Sequence, residues 1–131
     1  MVAATLNLTL GAVNRPFVYR KGTVDEAVIA QALKIGAYDV SRLRRGSELM
    51  ALYHRLAASG APPLIVDTAA NIGAAAVFFA YKLPQARILA LEPDAAKFAL
   101  LTANTAGLPV ECMQASIAAE CDAGAETPRI N

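Results

Sequence analysis

Two carboxylates, Asp67 and Glu92, are the residues of this chain best placed to do chemistry. Asp67 closes the apolar run Leu64-Ile65-Val66 and opens the stretch Thr68-Ala69-Ala70-Asn71-Ile72-Gly73. Glu92 follows the run Arg87–Leu91 and precedes Pro93-Asp94. It stands 19 positions after Gly73, near the ~20-residue interval at which an acid meets a nucleotide ribose. A carboxylate has the pair of oxygens needed to accept from two ribose hydroxyls. A chain that turns from Asp67 straight into a helix aims that helix's first amides at the ligand. There they attract a negative group, such as the carboxylate of an amino-acid-like tail. Gly73 either lets the helix pack closely or lets the backbone approach the ligand. The plainer alternative makes Asp67 a cap of the following helix and Glu92 a solvated loop acid. Their joint position at the carboxyl ends of adjacent strands, where open sheets bind ligands, favours a site for an adenosine-bearing molecule.

The elements that must position these acids read as strand, helix, strand, helix, strand. Leu64–Asp67 is a short continuous apolar run, as expected of a central parallel strand. A helix is predicted from about Ile72 to Leu83, closed by Pro84, with Val77, Phe78 and Tyr81 packed. Arg87–Leu91 is the second strand. Asp94 caps the next helix, whose Phe98, Leu100 and Leu101 are expected to face the sheet, and Gly107 ends it. Val110–Ala115 is the third strand. The first strand–helix–strand unit spans 28 residues, close to the ~30 of a standard right-handed unit.

Upstream, residues 5–10 and 17–20 predict a β-hairpin around Gly11 to Pro16, with Leu6, Leu8 and Leu10 alternating with polar residues. Thr23 and Glu26 have the spacing of a capping box for a helix carrying Val28, Ile29, Ala32, Leu33 and Ile35, stopped at Gly36. Ser47 is expected to cap a second helix with Leu49, Leu52, Tyr53 and Leu56 at core spacing. Residues 1–61 thus form a hairpin and helical leader, and residues 62–131 a nucleotide-binding portion entered at Pro62-Pro63. Asp122-Ala123-Gly124 reads as a turn, and residues 125–131 as the start of a further strand. The expected class is α/β, a doubly wound, mostly parallel Rossmann-like sheet. Such a sheet normally has five or more strands, so it is expected to stop early, after its third parallel strand. Either the sequence is a fragment, or self-association or a partner chain completes the sheet.

Composition sets the outer limits. The 131 residues are 56% hydrophobic with a mean hydropathy of +0.39, which suits strands apolar on both sides. A net charge of +1 gives no strongly basic surface for nucleic acid. The basic run Arg42, Arg44 and Arg45 reads as a solvated face. The longest uncharged stretches, Met1–Asn14 and Thr68–Tyr81, are 14 residues, short of the ~20 that span a bilayer. The N-terminus lacks the basic start of a signal peptide. Cys112 and Cys121, nine apart with no CxxC, are read as reduced thiols, giving a cytoplasmic expectation and no metal site. The single His54 reads as structural. Tyr19, Arg20 and Tyr38 are candidates for bordering an acceptor pocket.

Asp67-x-x-Ala70-Asn71-Ile72-Gly73 followed by Leu91-Glu92-Pro93-Asp94 resembles the FkbM-type branch of class I S-adenosylmethionine-dependent methyltransferases. Arg20-Lys21-Gly22-Thr23-Val24-Asp25-Glu26, with Tyr38-Asp39, is similar to that branch's leader, and Asp122 to Glu126 to a turn that follows its third parallel strand. The resemblance covers about residues 17–131. It implies S-adenosylmethionine as cofactor, with Asp67, Asn71 and Gly73 lining its methionine end. Glu92 would bind ribose, Pro93 and Asp94 would border the adenosine, and Ala115 and Ser116 would approach the adenine edge. Ala69 stands where the family usually has Gly. If that position needs positive φ or close cofactor approach, Ala69→Gly is expected to strengthen binding. The implied activity is O-methylation of a small molecule or sugar hydroxyl. The catalytic base is not identified, and this chain alone is expected to turn over little. Two other readings stand beside it. A nicotinamide dehydrogenase is disfavoured by the absent G-x-G-x-x-G. A non-catalytic or degenerate nucleotide-binding or assembly module is favoured by Ala69 and by the early end of the sheet.

Overall fold

The computed structural model describes residues 2–118 and 129–130. It is an α/β structure with a three-stranded parallel sheet and an antiparallel hairpin. The hairpin strands β1 (Val2–Leu10) and β2 (Val13–Lys21) pair along their whole length, from Val2↔Lys21 to Leu10↔Val13. The turn is therefore only Gly11-Ala12, shorter than the expected Gly11 to Pro16. Pro16 lies inside β2 opposite Asn7. Counted back from the turn, the Asn7–Pro16 pair is a non-hydrogen-bonded one whose backbone groups face outward, so the missing N–H of the proline costs no ladder bond. Gly11 has φ +60°, and a Cβ on it would meet the Tyr81 hydroxyl at 2.6 Å, so the turn rests directly on that side chain.

Helix α1 (Asp25–Ile29) widens into a π-helical turn over Ala30–Lys34, marked by the Ile35 amide donating to the Ala30 carbonyl at 2.9 Å. The capping box is shifted from its expected form. Thr23 Oγ1 accepts the amide of Asp25 at 3.1 Å, not that of Glu26, while Glu26 reaches back to the Gly22 amide at 3.2 Å. Helix α2 (Gly46–Ala58) starts one residue before Ser47, which caps nothing; no side chain caps this helix.

The parallel sheet consists of β3 (Leu64–Asp67), β4 (Arg87–Leu91) and β5 (Val110–Met113), in that spatial order. Its crossover helices are α3 (Ala74–Lys82) and α4 (Ala95–Asn104). Register puts Ile65, Ile88 and Val110 on one face, and Asp67, Ala90 and Cys112 on the same face two residues later. Ala76 and Ala80 of α3 pack on the first row, and Phe98 and Leu101 of α4 on the second. Both helices thus cover one face of the sheet. The opposite face shows Leu64, 59% exposed, and Val66, 47% exposed.

On their other side the helices meet the hairpin. Leu8 and Phe17 of the hairpin, Ile29 and Ala32 of the leader, and Ile72, Ala74 and Val77 form one buried cluster. Leu100 joins this cluster and does not face the sheet, contrary to expectation. The layers are therefore sheet, helices, then hairpin with leader helix, and the leader shares its core with the sheet portion. Beyond β5, the short strands β6 (Ile117–Ala118) and β7 (Arg129–Ile130) pair antiparallel. The expected turn at Asp122-Ala123-Gly124 and Cys121 lie outside the described residues.

Candidate functional site

The loops that leave the carboxyl ends of β3, β4 and β5 are stitched together by hydrogen bonds. Ala70 donates its amide to the Leu91 carbonyl at 2.9 Å, and Glu92 its amide to the Met113 carbonyl at 3.1 Å. Gln114 Nε2 reaches the Pro93 carbonyl at 3.4 Å. This brings the segments holding Asp67, Ala69 and Asn71, then Glu92, Pro93 and Asp94, then Ala115 and Ser116, to one end of the sheet.

Glu92 is the centre of the arrangement. It is only 6% exposed, and each carboxylate oxygen takes one backbone amide: Oε2 that of Asn71 at 2.9 Å, Oε1 that of Asp94 at 3.1 Å. It is not a solvated loop acid. Two carboxylate oxygens offer about four acceptor positions, so acceptor capacity remains after both amides are bound.

Asp67 does not cap α3, whose N-cap is Gly73 with no side-chain bond. Its Oδ1 accepts the Ala69 amide at 3.3 Å, within its own loop. Its Oδ2 is buried with no partner among the described residues, as is Oδ1 of Asn71. Burial pushes the Asp67 carboxyl above its ordinary value; the Ala69 amide opposes this, and the nearby Glu92 charge adds to it. Two buried acceptors in one loop with no donor invite a donor-rich group.

The special backbone position of this loop is not Ala69. Asn71 has φ +55°, the one non-glycine residue at positive φ among the described residues. The left-handed region is one that Asn tolerates better than most residues. Positive φ therefore gives no reason to expect Ala69→Gly to help. Gly73 also has φ +96°, and a Cβ there would meet Leu101 Cδ1 at 3.1 Å and Thr105 Cγ2 at 3.4 Å. Close packing of the α3 start against α4 is thus one role that Gly73 fills. The chain reaches α3 through the whole stretch Thr68–Gly73, not by the direct turn into a helix expected from sequence.

Asp94 caps α4, taking the Lys97 amide at 2.8 Å. Pro93 and Ala69 are exposed, Ser116 is partly buried and Ala115 is buried.

The other candidates are dispersed. Arg20 makes a two-pronged bond to buried Asp25, Nε to Oδ2 and Nη2 to Oδ1, both at 2.8 Å. The Arg20 guanidinium holds the Asp25 carboxyl below its ordinary range against the cost of burial. Asp94 and Lys97 are near enough for their charges to act on this pair. Tyr19 packs into the hairpin core. Tyr38 stacks on Phe79 at 6.0 Å, towards the C-terminal end of α3 and away from the acids. His54 is exposed, edge-on to Tyr53 at 5.1 Å. Cys112 is a free thiol whose Sγ shares a 3.3 Å hydrogen bond with Thr105 Oγ1. Among the described residues no three metal-ligating side chains cluster, and no helix is long and apolar enough to cross a membrane.

The chain matches no protein-family model, no curated protein and no solved structure.

Proposed function

We propose that this is the S-adenosylmethionine-binding domain of a methyltransferase, built on a Rossmann-like sheet, and that its acceptor is a hydroxyl of a small molecule or sugar. The observation that carries the reading is the pair of partnerless buried oxygens, Asp67 Oδ2 and Asn71 Oδ1, in the loop whose backbone is fastened to Glu92. An α-ammonium group supplies three donors and a positive charge, the complement of those two acceptors. Glu92, oriented by two amides, keeps acceptor capacity for ribose hydroxyls. When bound, the cofactor supplies a methyl group activated by its sulfonium. The residues named here bind and orient that cofactor, and the rate gain expected is positional. The hydroxyl class of the acceptor rests on the sequence resemblance.

Calorimetry with S-adenosylhomocysteine tests the reading. Wild type is expected to bind, and Asp67→Asn and Glu92→Gln to bind at least about tenfold more weakly, a loss of about 1.4 kcal/mol each. Absence of binding by the folded wild-type protein would overturn it, as would binding unaffected by either change.

One observation favours a second reading, an assembly module. The uncovered sheet face carries Leu64 and Val66 on β3, whose outer edge has no strand partner among the described residues. Apolar edges of this kind template association. Sedimentation over a range of concentrations distinguishes the cases: self-association abolished by Val66→Lys supports assembly through this face, and a monomer throughout excludes it.

A further inference from the structure

We infer that Asn104, at the end of α4, is the positioning residue that fixes the Asp67–Gly73 loop by tying it to the hairpin. The inference rests on the reading of that loop as the ligand-binding one. Asn104 is 1% exposed, and every hydrogen-bonding hydrogen of its side chain is used. Nδ2 donates to the Ile72 carbonyl at 2.8 Å and to the Val18 carbonyl at 2.9 Å, while Oδ1 accepts the Val18 amide at 2.7 Å. The side-chain amide thus pairs with Val18 as a neighbouring strand would and spends its spare hydrogen on the loop. Arg15 ties the same helix end to the hairpin from the backbone side, its Nη2 donating to the carbonyls of Asn104 at 2.7 Å and Ala106 at 3.1 Å.

The loop residue held is the one that matters. Ile72 lies between Asn71 and Gly73, both at positive φ. A left-handed non-glycine residue persists only where its surroundings over-determine it. On one side Asn71 is fixed by its own amide on Glu92; on the other, the next carbonyl is fixed by Asn104. Releasing Ile72 would let Asn71 relax to negative φ. That would turn its Oδ1 and shift the amide that orients Glu92. No other residue type of this size offers two donors and one acceptor: aspartate would present oxygen to two carbonyls, and alanine nothing.

The test compares Asn104→Ala and Asn104→Asp with Tyr53→Phe, which removes a hydrogen bond to the Gln85 amide far from the loop. The readouts are S-adenosylhomocysteine affinity and hydrogen exchange of the Asn71 amide followed by NMR. Both Asn104 variants are expected to speed Asn71 exchange at least about tenfold and to weaken ligand binding at least about tenfold, with the control doing neither. Exchange at Asn71 no faster than in the control would overturn the inference. If wild type binds no S-adenosylhomocysteine, the functional proposal fails, and the exchange comparison still decides the role of Asn104. Should the variants not fold, wild type itself decides. The Asn104 side-chain amide and the Asn71 amide are expected to exchange through one shared opening, and unrelated protection at the two sites would refute the link.

Discussion

The Glu92 carboxylate bridges two loops, with the Asn71 amide on one oxygen at 2.9 Å and the Asp94 amide on the other at 3.1 Å. This makes one side chain both a candidate ribose acceptor and a structural strut. Glu92→Gln turns an NH₂ group towards one of those amides and is expected to cost about 1–3 kcal/mol of stability. Glu92→Ala strands both amides and is expected to cost more. Urea denaturation gives the stability loss independently of any ligand.

Asp67 has the opposite balance. Its carboxyl is pushed up by burial, so folding disfavours its ionised form. Stability from this group is therefore present below pH ~3.8 and lost as pH rises through the higher folded value. Asp67→Asn is expected to raise thermal stability of the ligand-free protein at pH 7, by about 1 kcal/mol, while weakening cofactor binding. A variant that is less stable and binds normally would contradict both parts.

The Arg20–Asp25 pair titrates in the other direction. The depressed Asp25 carboxyl contributes stability above pH ~3.8 that is lost as pH falls through its lower folded value. Arg20→Ala leaves Asp25, 0% exposed, without its charge partner and is expected to cost about 3 kcal/mol at pH 7. The variant should also lose less stability than wild type on acidification below pH 4, which melting curves at several pH values would show.

Gly73→Ala combines a φ of +96° with a methyl 3.1 Å from Leu101 Cδ1. A loss of about 1–3 kcal/mol is expected. Leu101→Ala in the same chain would relieve the contact but not the backbone strain. The double mutant should therefore be more stable than the two separate losses predict, as a denaturation cycle can measure.

The parallel unit was legible from sequence where burial leaves a continuous apolar run bounded by turn residues. Arg87–Leu91 has the bounds expected from its apolar run, and Asp94 makes the cap expected of it. Legibility failed where a residue's partner is distant or its role ambiguous. Ser47 has the chemistry of a cap, yet the helix begins at Gly46. Pro16 and Gly11 both suggest turn, and only the pairing register shows that Pro16 sits in a strand. In the site, the proximity of Asp67 and Glu92 followed from strand order. The family pattern draws attention to Ala69, whereas Asn71 is the residue in the left-handed conformation. Asn104 carried no usable signal: an amide at a helix end is common, and its partners lie 32 and 86 positions away.

Helix α3 is loaded from both sides, with Ala76 and Ala80 towards the sheet and Ala74 and Val77 towards the hairpin and leader. An ordinary surface helix keeps one flank where mutations accumulate freely. This one has almost none, since only Tyr81 and Lys82 of its nine residues are exposed. Random mutagenesis would find α3 the least forgiving stretch of the chain. Its buried alanines, Ala74, Ala76 and Ala80, mark the points where those layers come within a methyl of the helix backbone.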